Sequence, residues 1–269
     1  MKNEKTYSRE HLTYLHRVKK KSVWINVSRV TILLFFLGIW ELSAALVWVN
    51  PFITSSPSRI FKTLIDLYQN GTLFYHVGTT LGETLAGFLL AVVLGYGIAL
   101  LLWWSDAFRR ISEPYFVVLN ALPKIALGPL IIIWCGTGKT AIIFMTILIG
   151  LIVAILNMLN GFMETDENKL LLMKSMGASK WQILTKLVIP SSLPSFISML
   201  KINVGMAWIG SIMGEYIVSK AGIGYLIVYG GQVFKLDLVM CAVFILCVLA
   251  AVMYAAVALL ERLVIKNRK

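Results

Sequence analysis

Six runs of about twenty predominantly apolar residues constrain this chain more than any other feature. At 1.5 Å of rise per residue, each is long enough to cross a roughly 30 Å hydrocarbon core as a helix. They fall at residues 30–49, 85–104, 115–135, 141–159, 196–218 and 238–260. The third is interrupted by Pro123, Lys124 and Pro129. Such a break is tolerated where protein or a water-filled cavity surrounds the backbone. The expected fold is all-α, a polytopic membrane protein of about six transmembrane helices. Composition agrees: 58% of the 269 residues are hydrophobic, 14% are charged, and the mean hydropathy is +0.80, outside the range of ordinary soluble domains.

A net charge of +12 raises the question of nucleic acid, and the placement of the basic residues answers it. With the N-terminus inside, eighteen lysines and arginines fall in cytoplasmic segments. Five, Arg59, Lys62, Lys139, Lys220 and Lys235, fall on the other side, and Lys124 and Lys201 lie within spans. That is the positive-inside distribution, with both termini cytoplasmic. The charge reports topology and attraction to anionic headgroups of the lipid bilayer, and no aromatic-interleaved pattern accompanies it to suggest nucleic acid. The organisation expected is a basic cytoplasmic segment at 1–29, a transmembrane domain at 30–260 and a basic tail at 261–269. The first run is too long for a cleaved signal sequence and lacks a small-residue cleavage site. Cys135, Cys241 and Cys247 lie in spans without partners at metal-ligand spacing, and His11, His16 and His76 are scattered, so no metal site is expected.

Two inter-span segments are long. Residues 50–84, on the outer side, contain the turn-rich string Ser55-Ser56-Pro57-Ser58 and then an amphipathic stretch from 60 to 68. Residues 160–195, on the cytoplasmic side, read as helix, corner, helix. Asp166 or Asn168 caps the first helix, which stops at Gly177, a residue suited to the left-handed conformation. Ser179 with Gln182 forms a capping-box signature for the second, whose apolar side is Trp181, Leu184 and Val188 and which Pro190 and Pro194 are expected to end. The segment is too polar to cross the bilayer and too apolar on one face to be a free linker. It either tucks against the protein's own helix ends or docks a partner.

The residues of this corner, Met176-Gly177-Ala178-Ser179-Lys180-Trp181-Gln182-Ile183-Leu184 with Leu187, Ile189 and Pro190, resemble the signature loop of binding-protein-dependent ABC importer permeases, written E-A-A-x-x-x-G-x9-I-x-L-P. Gly177 and Pro190 match, Leu187 and Ile189 are close substitutes, and the E-A-A positions are Leu171, Leu172 and Met173 instead. Further matches resemble the nitrate, sulfonate, taurine and bicarbonate group. These are Trp40-Glu41, Ser56-Pro57-Ser58, the stretch from Ala121-Leu122-Pro123-Lys124 through Pro129-Leu130 to Trp134-Cys135-Gly136, and Met213-Gly214-Glu215 before Gly222-Ile223-Gly224-Tyr225.

The resemblance implies a permease subunit of an ATP-driven importer in a bacterial inner membrane. Leu171, Leu172, Met173, Met176, Gly177, Ala178, Ser179 and Lys180 would then form a coupling helix between the fourth and fifth spans. Two cytosolic ATPases would engage it and hydrolyse the ATP, while this chain binds no cofactor. A second permease copy would complete the path, and an extracytoplasmic binding protein would dock near 50–84 and 220–235. The solute would be a sulfonate-, nitrate- or taurine-like anion, or another small organic molecule such as a thiamine-precursor pyrimidine.

Gly138-Lys139-Thr140 has the last letters of a phosphate-binding loop, but the required first glycine is Ile133. Glu41, Lys124, Lys201 and Glu215 are charges in or near spans, where they either lock helices together or line the solute path. No catalytic arrangement of Ser, His and Asp or of paired carboxylates occurs at motif spacing. An ion-gradient-driven secondary transporter is the alternative class, which would show midplane carboxylates and paired broken helices in two related halves.

Overall fold

A computed structural model describes residues 9–266. Lys2, Lys5, Arg268 and Lys269, counted above as cytoplasmic, lie outside the described residues. The described chain is helical, with no strand, and divides into two units between Thr63 and Leu64.

The first unit holds α1 (Arg9–Ala45), the short α2 (Pro51–Thr54) and the start of α3 (Pro57–Gln69). The helix does not stop at the basic segment: residues 9–29 and the first apolar run are one helix, because lysine and arginine are good helix formers and no Gly or Pro occurs from residue 9 to residue 37. The run read as extending to 49 ends at Ala45, and Val47 takes a positive φ of 57° in the turn that follows. Val30, Ile32, Leu33, Leu34, Phe35 and Phe36 are all exposed, as suits a helix that faces lipid or another subunit.

The second unit continues with α4 (Leu73–Trp104), α5 (Asp106–Ala121), α6 (Gly128–Cys135), α7 (Lys139–Met163), α8 (Glu167–Ser175), α9 (Lys180–Ile183), α10 (Ile189–Ser191), α11 (Leu193–Val218), α12 (Ile223–Gln232) and α13 (Leu236–Lys266). Among the described residues five helices, α1 among them, are long and apolar enough to span, and α5 with the segment Lys124–Cys135 makes a sixth span only as a broken pair bent by 86°. The break falls at Pro123, as the sequence indicates, but the pair begins at Asp106 rather than 115, with Ser105 Oγ accepting from the Phe108 N–H to cap α5.

The core of this unit is α7 held between α4 and α11. Thr146 of α7, fully buried, is pinched from both sides. A Cβ on Gly87 of α4 would lie 2.4 Å from its Cγ2, and one on Gly210 of α11 would lie 2.5 Å from its Cα. Small residues let helix backbones approach this closely where the hydrophobic effect offers no preference for helix over lipid tail. Along α4 the pattern continues through Ala91, Gly95 and Ala99, and Gly95 meets Ala154 of α7. Residue numbers rise together across α4 and α7 and run oppositely across α7 and α11, so α4 and α7 are parallel and α11 antiparallel. The end where α4 and α7 begin and α11 finishes is therefore one end of the bundle. The corner between α8 and α9 lies at the other.

Candidate functional site

At the corner, the backbone is fixed at every step. Asp166 accepts from the Asn168 N–H at 2.9 Å to cap α8. At the far end of α8, Gly177 adopts φ +73°, its N–H donates to the Lys174 carbonyl, and the Ala178 N–H reaches back to Met173, each at 3.0 Å. These are the two bonds of a glycine-terminated helix end. The capping box is also present: the Ser179 N–H donates to Gln182 Oε1 at 2.8 Å, and the Gln182 N–H to Ser179 Oγ at 3.3 Å.

The eight residues assigned to this corner separate into two sets. Leu171, Leu172 and Met176 are exposed by 64%, 61% and 78%, a bare apolar face on a rigid turn. Met173 and Ala178 instead pack against the core, and Ser179 is occupied as a cap. Lys180 is exposed and turns toward the end of α4: its ammonium donates to the Trp104 carbonyl and sits 5.4 Å and 5.8 Å from the ring centres of Trp104 and Trp103. A cation at a helix C-terminus satisfies a carbonyl left without an intrahelical partner and meets the negative end of the helix dipole.

Two readings of the segment after the corner are corrected. The apolar side of the second helix consists of Ile183, Leu184 and Val188, whereas Trp181 is 63% exposed and meets Trp104 edge-on at 6.3 Å. Pro190 and Pro194 do not end the helix. A π-helical turn over Leu184–Val188 widens the backbone spacing ahead of Pro190, and each proline sits in the first turn of a following helix, where its missing N–H is harmless.

The intramembrane charges do not form one network. Glu41 accepts from the Ser58 N–H at 3.0 Å and the Ser58 hydroxyl at 2.7 Å, which joins Trp40-Glu41 to Ser56-Pro57-Ser58 within the first unit. Lys124 reaches back across the break to α5, where the carbonyl and side-chain oxygens of Asn120 accept from its ammonium, each at 3.4 Å. Lys201 pairs with Glu261 at 2.5 Å, tying α11 to α13.

Glu215 belongs to a different arrangement, at the bundle end opposite the corner. Its Oε2 accepts from the Gly224 N–H at 2.5 Å, and it also accepts from the Tyr225 N–H and the Thr80 hydroxyl. The buried carboxyl thus caps the N-terminus of α12, where the helix dipole favours negative charge. Gly222, at φ +111°, brings the turn so close that a Cβ there would lie 2.4 Å from the Glu215 carboxyl carbon. The Gly222 N–H donates to His76 Nδ1 at 3.0 Å, and the Ile223 N–H to Thr80 Oγ1 at 2.7 Å. Thr84 donates to Ser211 at 2.7 Å.

Glu83 completes the group. It is 3% exposed and its carboxyl lies against that of Glu215, a contact in which one of the two carries a proton, while Glu83 Oε2 and Glu215 Oε1 accept from no donor among the described residues. Glu83 and the polar stripe His76, Thr80 and Thr84 were missed because α4 was read as starting at 85. The signal was present, for polar residues at 76, 80, 83 and 84 share one helix face in continuity with the small residues 87, 91 and 95.

The all-helical bundle with its broken pair and capped corner is the architecture of a polytopic membrane protein. The chain belongs to the family of binding-protein-dependent transport system inner membrane components, matching it over residues 87–266. It is 33% identical over 239 residues to the formylaminopyrimidine transport permease protein ThiX of Halalkalibacterium halodurans, covering 88% of this chain and 95% of that one. It is 24% identical over 257 residues to the taurine transport system permease protein TauC of Escherichia coli, covering 92% and 94%. The fold is also that of a chain in the crystal structure of a bacterial ABC transporter involved in the import of alginate, with a TM-score of 0.63, 14% identity, and coverage of 93% and 98%.

Proposed function

We propose that this chain is the membrane-spanning subunit of an ATP-driven importer of a small solute, and that the α8–α9 corner is where cytosolic ATPases grip it. The observation that carries the reading is the exposed face of Leu171, Leu172 and Met176 on a corner whose every cap is filled. A rigid apolar knob suits a hydrophobic cleft on a partner, and the absent E-A-A carboxylate is consistent with docking by packing rather than by charge. The excess of lysine and arginine on the corner's side of the spans supports a cytosolic location for it and for both termini. ATP is bound and hydrolysed by two partner subunits, a second permease copy completes the path, and an extracytoplasmic binding protein delivers the solute. ATP binding closes the ATPase pair, the corners move with it, and the helices re-aim the cavity between two global states. The solute class follows its relatives, a small nitrogen-containing molecule such as an aminopyrimidine or taurine. The secondary-transporter alternative finds no support in a single broken pair.

The test is co-purification. Tagged chain solubilised from its native membrane should elute with ATPase activity, and Met176→Asp should remove that activity while leaving the recovery of the chain unchanged. ATPase that follows the variant undiminished would rule out the corner as the grip.

A further inference from the structure

At the bundle end opposite the corner, Tyr75, Thr79, Glu83, Thr137, Gly138, Lys139 and Lys220 open onto one cavity of about 320 Å³, within the range of small-molecule sites. Its lining is polarised. Glu83 forms the buried acidic floor, backed by Glu215. Lys139 and Lys220 are exposed at the rim, and Thr79 and Thr137 supply hydroxyls between. The rim also carries the start of α7, whose cap residue Gly138 offers no side chain to its first N–H groups. A floor of this kind rejects a plain anion and rewards a donor nitrogen, while the rim rewards an acceptor or oxyanion.

We infer that this cavity is a solute site for a small amino-bearing molecule, with Glu83 receiving the amino group and Lys139 and Lys220 meeting an acceptor or anionic group at the solute's other end. The inference rests on the importer reading, under which this end faces the side from which solute arrives. It narrows that reading to solutes with both a donor nitrogen and an acceptor. Plain oxyanions of the nitrate type are disfavoured by the same floor.

The experiment uses the full chain in lipid nanodiscs, without ATPases, so that failure of the corner as a docking site leaves it unaffected. Ligand-observed NMR titrations compare taurine with ethanesulfonate, and 4-aminopyrimidine with pyrimidine. At least one amino-bearing probe should bind at least about tenfold more tightly than its amine-free counterpart. Glu83→Leu, which removes the carboxyl from the floor, should weaken that probe about tenfold and leave the counterpart unchanged, the loss of the hydrogen bond to its amino group. Lys220→Ala, at an exposed position that folding does not depend on, should weaken it as well. Binding of neither amino-bearing probe, equal binding of the amine-free counterparts, or variants that bind like the parent would each overturn the assignment.

Discussion

At Gly222 the volume that a Cβ would need is already filled by the Glu215 carboxyl, and the backbone has a φ of +111° that L side chains rarely adopt. Gly222→Ala is therefore strained twice, and it displaces a buried carboxyl from the N–H groups that compensate its burial. We expect a loss of stability of about 3 kcal/mol or more, from strain near 1–2 kcal/mol plus the lost hydrogen bonds. It would be visible as a several-degree drop in the melting temperature of the detergent-solubilised chain. Gly177→Ala provides the comparison: its φ is +73°, but nothing lies within 4 Å of its Cβ position, so only the backbone cost of about 1 kcal/mol applies. If both variants melt together, the Glu215 cap is not what holds the turn.

At the scale of helices, the close approach of two backbones predicts a contrast within α11. Gly210→Ala would place a Cβ 2.5 Å from the Thr146 backbone, which cannot rotate away, whereas Gly205 has nothing within 4 Å. The first should cost about 1–3 kcal/mol and lower the yield of monodisperse protein, and the second should be neutral. Equal melting curves for the two would place the α7–α11 contact further apart than described. The helices themselves were legible in the sequence because apolar runs of membrane-spanning length have few other uses. Their ends were not. Residues 73–84 are interrupted by His76, Thr79, Thr80, Glu83 and Thr84, yet they extend α4 because Thr80, Glu83 and Thr84 meet α11 and α12, which no local window contains. The corner was legible almost to the bond, since Asp166, Gly177, Ser179 and Gln182 are local capping signals. The packing of Met173 and the contact of Lys180 with Trp104 were not, because both depend on contacts between segments far apart in the chain.

Across the whole molecule, the corner's polar joint to α4 is the Lys180 ammonium on the Trp104 carbonyl beside two indole rings, next to the edge-on contact of Trp181 with Trp104. Cutting that joint should leave the ATPase grip on Leu171, Leu172 and Met176 intact and impair what the grip transmits. In proteoliposomes holding the complete importer, Lys180→Ala should raise the number of ATP molecules hydrolysed per solute taken up by several-fold while ATPase association is unchanged. Lys180→Arg should retain much of the coupling, since a guanidinium can donate to the same carbonyl and stack on the same rings. An unchanged ratio in Lys180→Ala would show that force leaves the corner by another route, through Met173 and Ala178 into the core.

The length of α4 gives that joint a mechanical meaning. The helix has 32 residues and so extends about 48 Å. It begins beside the polar cavity and ends at the residue that Lys180 holds. Clamped at its middle by the glycine contacts with α7, it is a lever with a fulcrum near Gly87 and Gly95. A tilt of about 5° about such a point moves each tip by roughly 2 Å in opposite directions, given the helix's length. The tip that moves carries Tyr75 and Thr79 into the cavity, so a push on one face of the membrane can be felt as a change of shape on the other.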